Sequence, residues 1–181
     1  MNMQINIGRG NILAGTDIRT SGPDRTEGLV DMISESNEKL SKVFIIHGHN
    51  EAKWRELASI LRELKVEPIE LSEQTLNGRT IIEKFEYYAE MCTFAFAVFT
   101  YDDVVHKDNG EEYFQVRPNV IFELGWFYAK LGREKVMIIE EENAKSNIFS
   151  DLAGIYRYKF HRDISERYRE IKTALKEAGI S

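Results

Sequence analysis

Val43-Phe44-Ile45-Ile46-His47-Gly48-His49-Asn50 begins with four apolar residues in a row and breaks at once into a polar, glycine-containing turn. An unbroken apolar run of this kind marks a strand covered on both faces, as in a parallel sheet held between two layers of helices. Trp54, Leu57, Ala58, Leu61 and Leu64 follow at helical spacing, with Asn50 placed to cap that helix. The alternation continues downstream. Residues 66–71 read as a second strand, which Pro68 sends toward an edge. Thr80-Ile81-Ile82-Glu83 is a capping box opening a helix with the stripe Ile81, Phe85, Tyr88 and Cys92. A third strand covers residues 94–99, and Pro118 starts a helix that runs to Leu131 and stops at Gly132. Residues 136–139 form a fourth strand and residues 155–160 a weaker fifth. Ile164, Tyr168, Ile171, Leu175 and Ala178 mark the closing helix. With right-handed crossovers this series predicts an α/β fold, a doubly wound five-stranded parallel sheet of order 2-1-3-4-5. Such sheets bind ligands beyond the carboxyl ends of the strands where the order reverses, here strands 1 and 3. The loops to search are 47–51, 72–79 and 101–119.

Upstream of this pattern the composition changes. Residues 1–42 hold no aromatic residue but five of the twelve glycines, so the chain divides into an N-terminal extension, 1–42, and a globular domain, 43–181. Short polar and apolar alternation around Ile5, Ile7, Ile12 and Leu13 suggests strand edges too small to stand alone, which would pair with something else, including a second copy. The whole chain has 181 residues, a net charge of −6 and 43% hydrophobic residues, enough for a full core without metal or disulfide. Cys92, the lone cysteine, cannot form an intramolecular disulfide, and a reducing cytoplasm is the expected setting. No apolar run approaches the length of about 20 residues that crosses a bilayer. An acidic balance without a Lys/Arg stripe argues against a nucleic-acid partner.

Each loop carries candidate chemistry. His47 and His49 flank Gly48, which permits close backbone approach, and either imidazole could donate to a phosphate or ribose or pack under the loop. With only His106 and His161 besides them, a metal site has no recognisable spacing. Arg79 precedes the Thr80 cap, a position suited to an anion such as pyrophosphate or to a solvated turn. Tyr101-Asp102-Asp103 hints at a phosphoacceptor receiver, but a receiver needs an acidic pair after the first strand, where this chain has His-Gly-His-Asn. The stretch from 101 to Pro118 has the length of a lid or binding loop. In the helix after it, Glu123 is the only charge between Arg117 and Lys130. Its carboxylate must face water, pair, or have its pKa raised, and pattern alone favours a solvated stripe of Asn119, Glu123 and Lys130. Gly125 costs that helix about 1 kcal/mol relative to Ala, which points to close packing there.

Taken together, residues 43–50 (VFIIHGHN), 78–85 (GRTIIEKF) and 117–127 (RPNVIFELGWF) resemble the prokaryotic TIR-like domain of predicted nucleotide-binding proteins. This is the type fused to bacterial STING or to cyclic-nucleotide sensors in anti-phage systems, and the resemblance spans roughly residues 42–181. It implies a flavodoxin-like TIR fold and an NAD⁺ glycohydrolase that is switched on when TIR domains assemble, with NAD⁺ as substrate and no cofactor. The family's catalytic glutamate carries over onto Glu123 in N-V-I-F-E-L-G. His47, Gly48, His49, Arg79, Tyr101, Asp102, Asn119 and Trp126 are then the residues placed to hold phosphates, ribose or a ring. The 181 residues include no recognisable STING or cyclic-nucleotide-binding domain, so the upstream signal is open. F-E-L-G also resembles nucleoside deoxyribosyltransferases, although the Gly-Thr usual before it is absent. A non-catalytic TIR scaffold or nucleotide-binding module is the alternative from another class.

Overall fold

In the computed structural model the described residues are 40–143, 146–147 and 150–180. The extension read from residues 1–42 therefore falls almost wholly outside them. Strands β1 (Lys42–His47), β2 (Glu67–Ile69), β3 (Phe94–Phe99), β6 (Val136–Glu141) and β8 (Tyr158–Phe160) form one parallel sheet in the order β2-β1-β3-β6-β8. Counting only these five, that is the order 2-1-3-4-5, the doubly wound, flavodoxin-like arrangement of a TIR fold. β1 and β3 lie in register from Val43↔Phe94 to His47↔Val98, so the loops after them emerge side by side.

The strand residues alternate between two cores. Val43, Ile45, Phe94, Phe96 and Val98 pack against Trp54, Leu57 and Leu61 of α1 (Glu51–Glu63) and against Ile171 and Leu175 of α4 (Tyr168–Glu177). Phe44, Ile46, Ala95, Ala97 and Phe99 pack against Phe85 and Ala89 of α2 (Ile81–Glu90) and against Val120, Leu124 and Phe127 of α3 (Pro118–Leu131). Both faces of β3 are thus covered, which is what a strand with six buried residues in a row requires. The N-caps are those the sequence signals. The Asn50 side chain accepts from Lys53 N, and Thr80 and Glu83 form the capping box at the start of α2.

Several expectations change. The segment after β3 is not an open loop: Asp103–His106 (β4) and Glu112–Gln115 (β5) form an antiparallel hairpin, and β7 (Ser146–Asn147) joins β5 in parallel. Asn109-Gly110, with Gly110 at φ 83°, is the hairpin signal that makes this turn. The second strand is confined to Glu67–Ile69 and the last to Tyr158–Phe160, both shorter than their apolar runs. On α2 the buried residues are Lys84, Phe85 and Ala89, while Ile81 is 74% exposed. Cys92 is buried, and burial pushes its thiol up to about 12, so it is unreactive in the folded chain. Among the described residues no helix is long and apolar enough to cross a membrane. Gly125 is not held by packing, because a Cβ built on it meets nothing within 4 Å. Gly125→Ala is therefore expected to raise stability by up to about 1 kcal/mol through helix propensity alone. A lower melting temperature for this variant would show that the open face is needed.

Candidate functional site

Where β1 ends, His47 turns back over the sheet with both ring nitrogens engaged: Nε2 lies 2.7 Å from Glu70 Oε1 and Nδ1 lies 2.7 Å from the Gly48 carbonyl oxygen. Both ring nitrogens therefore face an oxygen atom. Its face stacks on Trp54, with centroids 5.2 Å apart. Glu70, one residue beyond β2 and 3% exposed, also accepts from Ser72 N at 2.7 Å, Ser72 Oγ at 2.5 Å and Glu73 N at 3.0 Å. Burial raises the Glu70 carboxyl, but the hydrogen bonds from His47 and Ser72 together outweigh it and hold the group down at about 2. Glu70, like Lys84 below, is a residue that pattern reading missed. The available signal was an acid at the end of a short strand, facing the loop where the sheet order reverses.

A cavity of about 290 Å³ opens beside this pair, with Ile45 and Leu71 in its wall and Glu123, Lys84 and Ile81 around it. Glu123 sits on the second turn of α3. It is not part of a solvated stripe: burial pushes its carboxyl up to about 7, with His47 lowering it and Glu70 raising it in smaller measure. Of the other two members of the expected stripe, Asn119 is exposed and Lys130 pairs with Glu90. A larger cavity, about 550 Å³, lies by the amino ends of β3 and β6, the opposite end from that where a doubly wound sheet places its ligands.

The remaining expected site residues are placed as follows. Asp102 braces the first loop, its Oδ2 accepting from His49 N at 2.7 Å and from Thr100 Oγ1 at 2.9 Å. Gly48 is required by that brace, since a Cβ there would lie 2.2 Å from Asp102 Oδ2. Gly48→Ala should displace the Asp102 carboxylate and cost about 1–3 kcal/mol, read as a fall in melting temperature. An unchanged melt would show that the loop can shift freely. His49 Nε2 accepts from Arg117, a cation at the amino end of α3. Tyr101 does not present its ring to a ligand: it is buried, and its hydroxyl donates to Glu140, which also accepts from Arg157 Nε at 2.8 Å. Trp126 packs edge-on against Phe85, with centroids 5.1 Å apart, and does not line the cavity. The Arg79 guanidinium lies 4.0 Å from the Tyr87 ring centre, also outside the cavity lining. The structure therefore brings together Glu123 and His47, adds Glu70 and Lys84, and sets Gly48 and His49 in the adjoining loop with Asp102 bracing it from the loop after β3. Among the described residues no group of three or more His, Cys, Asp or Glu side chains gathers as metal ligands do.

The chain is 36% identical over 148 residues to Protein tirC of Dictyostelium discoideum, covering 77% of this chain and 74% of tirC. It is 39% identical over 115 residues to the uncharacterized protein YuaY of Escherichia coli (strain K12), covering 63% of this chain and 38% of YuaY. To the Pycsar effector protein BcPycTIR of Burkholderia cepacia it is 32% identical over 104 residues, 55% of this chain and 34% of that one. It thus spans most of tirC but little more than a third of either bacterial relative. Residues 42–162, which include every strand described above and the cavity with Glu123, match the family described as CAP12/Pycsar effector protein, TIR domain. By fold and sequence together, the chain belongs to the TIR domains of the CAP12 and Pycsar effector proteins.

Proposed function

We propose that this chain cleaves NAD⁺ at the bond between nicotinamide and ribose. The observation that supports the reading is Glu123: a carboxyl that burial raises to about 7, on a cavity at the carboxyl ends of the strands where the sheet order reverses. Nicotinamide leaves NAD⁺ as a neutral molecule, so the acid of an ordinary glycosidase is unnecessary, and what the site must supply is negative charge against an oxocarbenium-like ribose. The ionised Glu123 supplies it. Water then adds to C1′ and gives up a proton to solvent by way of Glu123, leaving ADP-ribose. The Glu70 carboxylate is already occupied by His47, Ser72 and Glu73, which leaves Glu123 as the carboxylate open to the cationic centre. At about 290 Å³ the cavity has the scale of a nucleoside, with the rest of the dinucleotide running out over the 47–51 and 72–79 loops.

Activation by self-assembly in answer to an upstream cyclic-nucleotide signal, in anti-phage defence, completes the proposal. Support for it comes from the relatives named Pycsar effector protein and CD-NTase-associated protein 12. The test is to incubate the full chain with NAD⁺, with and without cyclic nucleotides, and to follow free nicotinamide by chromatography. Release of nicotinamide in step with loss of NAD⁺ is expected, and intact NAD⁺ under every condition would leave a binding or scaffold role instead.

A further inference from the structure

Lys84 stands on the first turn of α2, three residues after Ile81 and four before Tyr88, on the stripe where the helix pattern calls for an apolar side chain. It is 8% exposed and lines the 290 Å³ cavity together with Glu123, His47 and Glu70. Its stem is buried while its ammonium keeps access to solvent, so the charge is held at the cavity and not sealed inside the core. Among the described residues Lys84 has no side-chain hydrogen bond and no ion pair. The groups that act on Glu123 are His47 and Glu70, and those that act on Glu70 are His47 and Ser72, so Lys84 serves neither carboxylate. The other cation of this region, Arg79, lies over Tyr87 and is not among the residues lining the cavity. One cavity therefore presents a carboxyl at one place and a solitary ammonium at another.

We propose that Lys84 is the anion-binding residue of this site, holding the phosphate attached to the ribose whose C1′ faces Glu123. The proposal rests on the reading of the cavity as a nucleotide site and deepens it. A nucleotide ribose carries its leaving base at C1′ and its phosphate at C5′, on opposite ends of the sugar, which suits a cavity lined by Glu123 and by a Lys84 that is not among the groups acting on it. Lys84 is a positioning and specificity residue, not a participant in bond cleavage: it selects phosphorylated ribosides over free nucleosides.

The experiment uses the full chain as wild type, Lys84→Met and Lys84→Arg. For NAD⁺ cleavage the Met variant should raise KM about 10- to 100-fold with little change in kcat, and Arg should restore most of the loss. In parallel, calorimetric titrations with ADP-ribose and with nicotinamide riboside, which lacks phosphate, need no turnover. Affinity for ADP-ribose should fall by the same factor in Lys84→Met, and affinity for the riboside should hold. Equal weakening of both ligands, or of neither, overturns the assignment of Lys84. Absence of NAD⁺ cleavage by the wild type overturns the proposed activity, and the titrations still decide the role of Lys84.

Discussion

Replacing Glu123 by Gln is expected to lower nicotinamide release by 10²-fold or more while making the folded chain more stable above pH 7. The isostere fits the same space and removes the charge that would face the oxocarbenium-like ribose, a change of the size seen when an electrostatic element is deleted from an active site. The stability half follows from the displaced titration. Folded, the Glu123 carboxyl holds its proton to about 7; unfolded, it releases it near 4.5. The native state therefore binds more protons between those values, and stability falls as pH rises from about 4.5 to about 7, with the full penalty present above that. Gln has no proton to lose. The variant should gain on the order of 1–3 kcal/mol over wild type at pH 8 and nothing at pH 4. Wild-type turnover should rise with pH through about 7, because only the ionised carboxyl serves the reaction. Melting curves at the two pH values and a pH–rate profile check both halves. A Glu123→Gln protein that turns over NAD⁺ normally would remove the residue from the mechanism, and one that melts lower at pH 8 would show that the carboxyl is stabilised by a partner.

Glu70→Ala is expected to cost about 3 kcal/mol or more at pH 7, the largest loss of stability from any single change at the site. It removes the partner of His47 Nε2 and leaves the Ser72 and Glu73 amides without their bonds. Because the folded Glu70 titrates at about 2, below the unfolded value of 4.5, its support is complete above pH 4.5 and drains away as pH falls toward 2. The difference between variant and wild type should shrink over that acid range. Denaturant unfolding at pH 7 and pH 3 reads it directly, and a loss below 1 kcal/mol at pH 7 would mean that His47 finds another acceptor.

How much of this was legible beforehand depended on the range over which each signal acts. Val43-Phe44-Ile45-Ile46, the Asn50 and Thr80 caps and the Pro118 to Gly132 helix are local devices, and the parallel sheet and its order follow from them. The hairpin at β4 and β5 was also written locally, in Asn109-Gly110, but the length of the stretch read as a lid or binding loop. Gly48 and Gly125 look alike in sequence. Only the fold shows that one is pressed against Asp102, 54 residues downstream, and that the other faces open space. Tyr101 took the appearance of a ligand-stacking ring from its place at a strand end, whereas its partner Glu140 comes from another strand and is held in turn by Arg157 of the loop before the last one. Lys84 was hidden because a charge is read as exposed by default, even when it falls on the apolar stripe of its own helix.

The edges of the five-stranded sheet carry a consequence for how molecules of this chain can meet. β2 and β8, the outer strands, offer three residues each, and the middle residue of β2 is Pro68, which has no N–H to give. A sheet finished in this way has almost no main chain to share with a neighbour, so it cannot be lengthened strand by strand into a continuous ribbon. Contacts between copies made along the edges of this sheet must then run through side chains, which are individually weak and sensitive to point charge and salt. Gatherings of that kind come apart when their cause is withdrawn, unlike those stitched by backbone ladders.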